Sequence, residues 1–254
     1  MFTAERYVRP ATLQEAYELN QKRSSTVLGG GCWLRLGHKR IGTLIDLCGL
    51  GLDRIEERDG WIRIGTMVSL RRLETDPLLA ERFGGLFSAM TGHIVGVQFR
   101  ECATLGGSVW GRFGFSDLLT GLMALDCEVE LAGAGRIPLR EFAARKADRD
   151  ILAAVWVKDN GRRAVYQTVR NTGTDFPVLA CAASRCVGEE GFRVVIGARP
   201  MRAAALEGVR PDTLEAALDT LTFGGNLRAG AAYRRHLASV LARRCMQQLE
   251  EEQA

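Results

Sequence analysis

The residues best placed to do chemistry in this 254-residue chain lie in two glycine-rich stretches. One is Thr104-Leu105-Gly106-Gly107-Ser108, with an acidic residue, Asp117, a short way beyond it. Adjacent glycines leave the backbone bare, can take φ > 0 and let other atoms come close to the main chain. Beside a helix start, such a loop lets peptide N–H groups surround a phosphate. The same pattern also fits a tight turn ahead of an ordinary helix. The other stretch, Gly29-Gly30-Gly31, follows the β-prone run Ser25-Thr26-Val27-Leu28 and leads into Cys32 and Trp33. It is not a Rossmann fingerprint, because Leu34 stands where the last glycine belongs. Nor is Gly37 to Thr43 a Walker loop, since Thr43 occupies the lysine position.

Metal chemistry finds little support. The seven cysteines are scattered, none in C-x-x-C spacing, and there are three histidines. Iron–sulfur clusters need closely grouped thiolates, so none is expected on this chain. An odd cysteine count argues against a disulfide framework, and small apolar packing accounts for most of these side chains. No residue stands out as a catalytic acid, base or nucleophile.

The elements that must hold the glycine stretches follow from pattern. Thr12-Leu13-Gln14-Glu15 has capping-box spacing, which predicts a helix ahead of the strand 25–28. Thr43–Leu47 reads as a strand, as do Leu52–Ile55 and Trp61–Gly65 around a turn at Asp59-Gly60. Ser69–Glu74, Pro77–Arg82 and a segment from Phe83 to Gly92 read as helices. Asp117–Leu125 has helical apolar spacing with Ser116 or Asp117 at the N-cap. Cys127–Leu131 alternates apolar and charged residues, as a half-buried strand does. Arg163–Val169 and Phe192–Gly197 read as strands, Phe176–Ala183 as a small-residue apolar run, and Thr213–Leu218 and Tyr233–Glu252 as helices. Turn chemistry at Lys158-Asp159-Asn160-Gly161 suggests a domain boundary.

Hydrophobic content of 46%, charged content of 25% and a net charge of +4 without a basic run are those of a soluble globular protein. They give no reason to invoke nucleic acid or a membrane. The N-terminus lacks the layout of a signal peptide, so a cytoplasmic location is expected.

Taken together, the glycine stretches resemble those of the FAD-binding medium subunits of molybdenum hydroxylases, the xanthine, aldehyde and carbon-monoxide dehydrogenase family. The resemblance runs through Val27–Gly31, Ile64-Gly65-Thr66, Gln98–Gly107, Ser116–Asp126 and Asn226–Leu237. It implies an α+β fold: a two-lobed PCMH-type FAD-binding domain over 1–160, with lobes of about 1–56 and 57–160. A smaller α+β domain of the carbon-monoxide dehydrogenase flavoprotein type would follow over 161–254. FAD would lie between the lobes. Its diphosphate would meet the backbone from Leu28 and Gly29 through Gly30, Gly31, Cys32 and Trp33, with Thr104, Gly107 and Ser108 opposite. Asp117 would face the adenosine ribose, Leu152 the isoalloxazine ring and Gln167 its pyrimidine edge.

Several positions depart from the family's usual residues. Gly31-Cys32 replaces a hydroxyl-plus-acid pair, Ser108 an asparagine, Gln167 a lysine, and Arg112-Phe113-Gly114-Phe115 a proline-containing loop. The activity implied is electron transfer in a hetero-oligomer. Molybdopterin and 2Fe–2S clusters would reside on a large and a small partner subunit, with NAD or a quinone as acceptor. A stand-alone FAD-dependent oxidoreductase and a flavin-free structural subunit are the alternative readings.

Overall fold

A computed structural model of the chain describes residues 1–252. The first half contains β1 (Thr3–Val8), α1 (Leu13–Asn20), β2 (Ser25–Leu28), β3 (Arg40–Asp46), β4 (Ile55–Arg58), β5 (Trp61–Gly65), α2 (Leu70–Thr75), α3 (Pro77–Phe83), α4 (Leu86–Thr91), α5 (Val97–Cys102), α6 (Leu105–Trp110) and α7 (Asp117–Leu122). The second half contains β6 (Cys127–Leu131), β7 (Gly135–Pro138), α8 (Leu139–Ala144), β8 (Leu152–Lys158), β9 (Arg163–Val169), β10 (Leu179–Arg185), β11 (Phe192–Gly197), β12 (Ala204–Val209), α9 (Leu214–Asp219) and α10 (Ala231–Glu251). This is the mixed α+β architecture that the resemblance implies. The chain forms two compact units from interleaved segments. One comprises Met1–Arg72, Val97–Gly111 and Cys127–Lys158; the other comprises Leu73–Gly96, Arg112–Asp126 and the chain from Asp159.

In the first unit, β1, β3 and β2 form a parallel sheet with β3 in the middle. The central strand buries Ile41, Leu44 and Ile45, and α1 packs Ala16 against Ile45 and Leu47. The predicted capping box is shifted by one residue at its return contact. Thr12 Oγ1 accepts the Glu15 N–H, but the Glu15 carboxylate accepts the N–H of Ala11. A second sheet, antiparallel in the order β4-β5-β8-β6-β7, turns one face inward through Ile62, Ile64, Val129, Leu131, Val155 and Val157. Its β4–β5 hairpin closes at Asp59 and Gly60, both at positive φ (50° and 75°), as two-residue hairpin turns require. The strand leading into this hairpin starts at Ile55, later than Leu52.

The second unit is a four-stranded antiparallel meander, β12-β11-β10-β9. Strand β10 buries Leu179 through Ser184 on both faces, which explains its run of small residues. The long helix α10 covers one core with Leu237, Leu241, Cys245 and Leu249.

Candidate functional site

Strand β2 points its carboxyl end at the first glycine stretch, with Leu28 opposite Asp46 of β3. Ligands of open parallel sheets characteristically bind beyond such strand ends. Gly31 sits at φ +68°, and its carbonyl accepts the Arg35 N–H at 3.0 Å as a short 3-10 turn, Leu34–Leu36, begins. Leu28, Gly29, Gly30, Gly31 and Cys32 are half-buried, and Trp33 is 48% exposed.

The loop lies against the segment that precedes α6. A Cβ on Gly30 would fall 1.7 Å from the Cys102 carbonyl oxygen, and one on Gly29 would fall 3.0 Å from Thr104 Oγ1. The two glycine stretches are thus brought together within one unit, and bareness in the first is a packing requirement.

The second stretch differs from the expected open loop. Gly106 and Gly107 lie in the first turn of α6, and neither has positive φ. Thr104 is the N-cap, its Oγ1 accepting the Gly107 N–H at 3.1 Å. The Leu105 N–H bonds the Val68 carbonyl at 2.9 Å and the Gly106 N–H bonds that of Thr66 at 2.8 Å. These amides are already engaged and do not form a phosphate cradle. Gly106 is there because a Cβ would meet Thr66 Oγ1 at 1.7 Å. Gly107 is exposed, and a Cβ there would touch only Thr104 Oγ1, at 3.4 Å.

The unengaged donors are in the first loop. The N–H groups of Gly30, Gly31 and Cys32 bond no backbone carbonyl among the described residues. The Cys32 thiol donates to the Gly30 carbonyl at 3.7 Å, and burial pushes its pKa up. Thr104, buried and already accepting from Gly107, retains its own O–H to donate. Ser108 is half-buried, with its N–H on the Thr104 carbonyl. Leu152 opens β8 opposite Leu131 and is buried.

Asp117 and Gln167 belong to the second unit. Ser116 takes the N-cap role, its Oγ accepting the Leu119 N–H at 3.2 Å, and Asp117 is the first helical residue. Asp117 is buried, and its Oδ1 accepts from both Tyr166 Oη and Arg170 Nη2. Burial pushes its carboxyl pKa up against the pull of Arg170 and Tyr166. Burial beside Asp117 raises the Tyr166 phenol well above its ordinary value. Neither partner of Asp117 was foreseen from sequence. Tyr166 and Arg170 are ordinary residues of a strand and its end, and only tertiary packing reveals them. Gln167 Nε2 donates to Gln248 Oε1 of α10 at 3.2 Å.

The fold defines the class: the α+β architecture shared with a chain of the reconstituted CO dehydrogenase and with one of quinoline 2-oxidoreductase from Pseudomonas putida 86. The chain belongs to the family of FAD binding domains in molybdopterin dehydrogenases, whose sequence model matches residues 2–157. It is 26% identical over 249 residues to the YgfM protein of Escherichia coli strain K12, covering 93% of each chain. It is also 26% identical over 272 residues to the nicotine 6-hydroxylase medium subunit of Paenarthrobacter nicotinovorans, covering 94% of this chain and 95% of that one. A chain of the reconstituted CO dehydrogenase of Oligotropha carboxidovorans matches with a TM-score of 0.85, covering 96% of each chain at 20% identity. At that identity the likeness speaks for the fold. Among the described residues, no helix is long and apolar enough to cross a membrane.

Proposed function

We propose that this chain binds FAD on the loop Leu28–Trp33 and serves as the electron-transfer subunit of a molybdenum hydroxylase complex. The observation that carries the reading is the set of unengaged N–H groups at Gly30, Gly31 and Cys32, beside the Thr104 hydroxyl and the bare, exposed Gly107. A diphosphate is a compact anion that inward-pointing amides can match without a lysine, each charge-assisted bond contributing roughly 1.5–3 kcal/mol. The lack of a Cβ at Gly107 leaves room for phosphate oxygens beside the Thr104 hydroxyl. Gly29 and Gly30 fix the loop on the 102–104 segment, so that the donors are held in place before the ligand arrives. Ser108 and Leu152 complete the proposed set in the first unit: the first beside the diphosphate, the second toward the ring.

When bound, FAD supplies the capacity to accept and release electrons, and the protein contributes binding, orientation and exclusion of water. Partners complete the pathway in this reading. A molybdopterin-binding large subunit oxidises the substrate, a 2Fe–2S small subunit relays electrons, and NAD or a quinone receives them. The relatives named as a nicotine 6-hydroxylase medium subunit and as a CO dehydrogenase support such an assembly.

The test is to co-express this chain, tagged, with candidate molybdenum-binding and iron–sulfur-binding subunits from the same organism. The purified material is then taken for metal analysis and a visible spectrum before and after candidate substrates. Flavin bleaching that requires the partners supports the reading. Substrate turnover by this chain alone, without metal, would replace it with the stand-alone flavoenzyme. Assembly without any flavin would leave only the structural-subunit reading.

A further inference from the structure

Gly31-Cys32 replaces a hydroxyl-plus-acid pair in the flavin loop, and the flavin reading uses the Cys32 N–H but not its thiol. A second thiol, Cys102, ends α5 on the segment against which the loop packs. Both thiols are free; Cys102 is exposed and Cys32 is half-buried. Gly30 lies between them. A Cβ on Gly30 would fall 2.6 Å from the Cys102 carbonyl carbon, and the Cys32 thiol folds back onto the Gly30 carbonyl at 3.7 Å. The two side chains also sense each other's charge: burial pushes the Cys32 pKa up, Arg35 pulls it down, and Cys102 pushes it up again. Next to Cys32, Gly31 sits at φ +68°, and a Cβ there would touch only Leu28 Cδ1, at 3.4 Å. A glycine at this point lets the backbone turn about it. Cys127, Cys181 and Cys245 are buried, out of reach of a dissolved oxidant.

We propose that Cys32 and Cys102 form a reversible disulfide when hydrogen peroxide is the oxidant, and that this bond closes the flavin loop to FAD. The inference rests on the reading of residues 28–33 as the FAD site. Cys102, the exposed thiol, meets the oxidant first. Its thiolate sulfur attacks a peroxide oxygen: an S–O bond forms, the O–O bond breaks, and hydroxide leaves to take up the Cys102 proton as water. The Cys32 sulfur then attacks the sulfenic sulfur. The S–S bond forms, the S–O bond breaks, and the oxygen leaves as a second water carrying the Cys32 proton. The thiol pair gives up two electrons, and the peroxide receives them. A disulfide needs its Cβ atoms about 3.5–4.5 Å apart. The Cys32 side chain must therefore leave the Gly30 carbonyl and swing toward the end of α5. Its N–H, one of the three unengaged donors, turns with it out of the diphosphate site. The coupling is reciprocal: FAD seated on that N–H opposes the disulfide by the same factor by which the disulfide opposes FAD.

The test treats the full-length flavin-free chain with hydrogen peroxide, blocks the remaining thiols, and digests it with trypsin without reductant. Mass spectrometry should find one linked species joining residues 24–35 to residues 101–112, each of which holds a single cysteine. FAD titrations should show affinity about tenfold weaker after peroxide and restored by dithiothreitol. Excess FAD, added before the peroxide, should suppress the linked species. Cys102→Ser should bind FAD like the parent and keep that affinity after peroxide. Cys48→Ser, at an exposed thiol outside the loop, should respond to peroxide as the parent does. Separate oxidation of the two thiols without a linked species overturns the pairing. So does a loss of affinity that persists in Cys102→Ser, since it would come from Cys32 alone. A linked species with unchanged FAD affinity overturns the control of binding. Failure of the reduced chain to bind FAD overturns the flavin reading, and the control of binding with it.

Discussion

Gly30 packs onto the Cys102 carbonyl so tightly that a Cβ would lie 1.7 Å from its oxygen. That contact fastens the loop after β2 to the segment before α6. It also divides the glycines by role. Gly30 and Gly106 are bare because protein atoms lie against them, whereas Gly107 is bare where only Thr104 Oγ1 comes within contact distance.

Gly107→Ala and Gly30→Ala should therefore fail differently. Alanine at Gly107 sits in a helical turn with open space, so the flavin-free protein should gain about 0.5–1 kcal/mol. FAD affinity should nonetheless fall about tenfold or more, because the methyl occupies the diphosphate approach. Alanine at Gly30 cannot avoid the Cys102 carbonyl and should cost about 1–3 kcal/mol even without ligand. Thermal melts of the flavin-free proteins and FAD titrations measure both effects. Full FAD affinity in Gly107→Ala would remove this residue from the site.

Thr104 joins the cap of α6 to the proposed site. Thr104→Val should lose about 1 kcal/mol through the missing cap and, separately, weaken FAD binding through the missing O–H donor. Thr104→Ser retains both functions and should restore both readouts. If valine lowers stability while binding is unchanged, the hydroxyl is a cap alone.

Much of the scaffold around this site follows from sequence pattern, and what does not has identifiable physical causes. Strands β9 and β11 have the predicted bounds because residues 163–169 and 192–197 are short runs rich in β-branched and aromatic residues. Strand β1 was not foreseen. Five of its six residues are exposed, and its identity comes from parallel pairing with β3, a long-range partner. Gly106-Gly107 reads locally as a loop, yet the Thr104 cap and the close approach of Thr66 make it a helical turn. Composition locates the glycines but does not say which face protein and which face open space. That distinction depends on Cys102 and Thr66, residues with no motif of their own.

Asp126 gives the second unit a specific acid sensitivity. Burial alone would raise its pKa. The Asn160 amide at 2.7 Å, Arg193 at 2.9 Å and Arg162 at 3.2 Å outweigh burial and hold it at about 2, below its ordinary 3.8. A depressed carboxylate pKa adds stability that is fully present above the unfolded value and is lost as pH falls through the folded one. Denaturant unfolding from pH 5 to 2 should therefore show a loss of stability between about 4 and 2. Asp126→Asn should be less stable at neutral pH and should flatten that slope. An unchanged slope in the variant would mean that other carboxylates govern acid unfolding.

Asp117 and Arg170 are a buried pair, their side chains 7% and 6% exposed, with Tyr166 donating to the same carboxylate oxygen. A ribose acceptor alone would affect binding more than stability, but this environment reverses the order. Asp117→Asn leaves the Arg170 guanidinium buried without its counter-charge, which typically costs about 3–5 kcal/mol. The flavin-free protein should show that loss in denaturant unfolding. Replacing both partners, Asp117→Asn with Arg170→Met, should recover much of it, because no stranded charge remains. Any ribose contribution should then appear in the double variant as weaker FAD binding at near-normal stability. A single Asp117→Asn variant that unfolds like the parent and loses only FAD affinity would show that the carboxylate serves the ligand and not the fold.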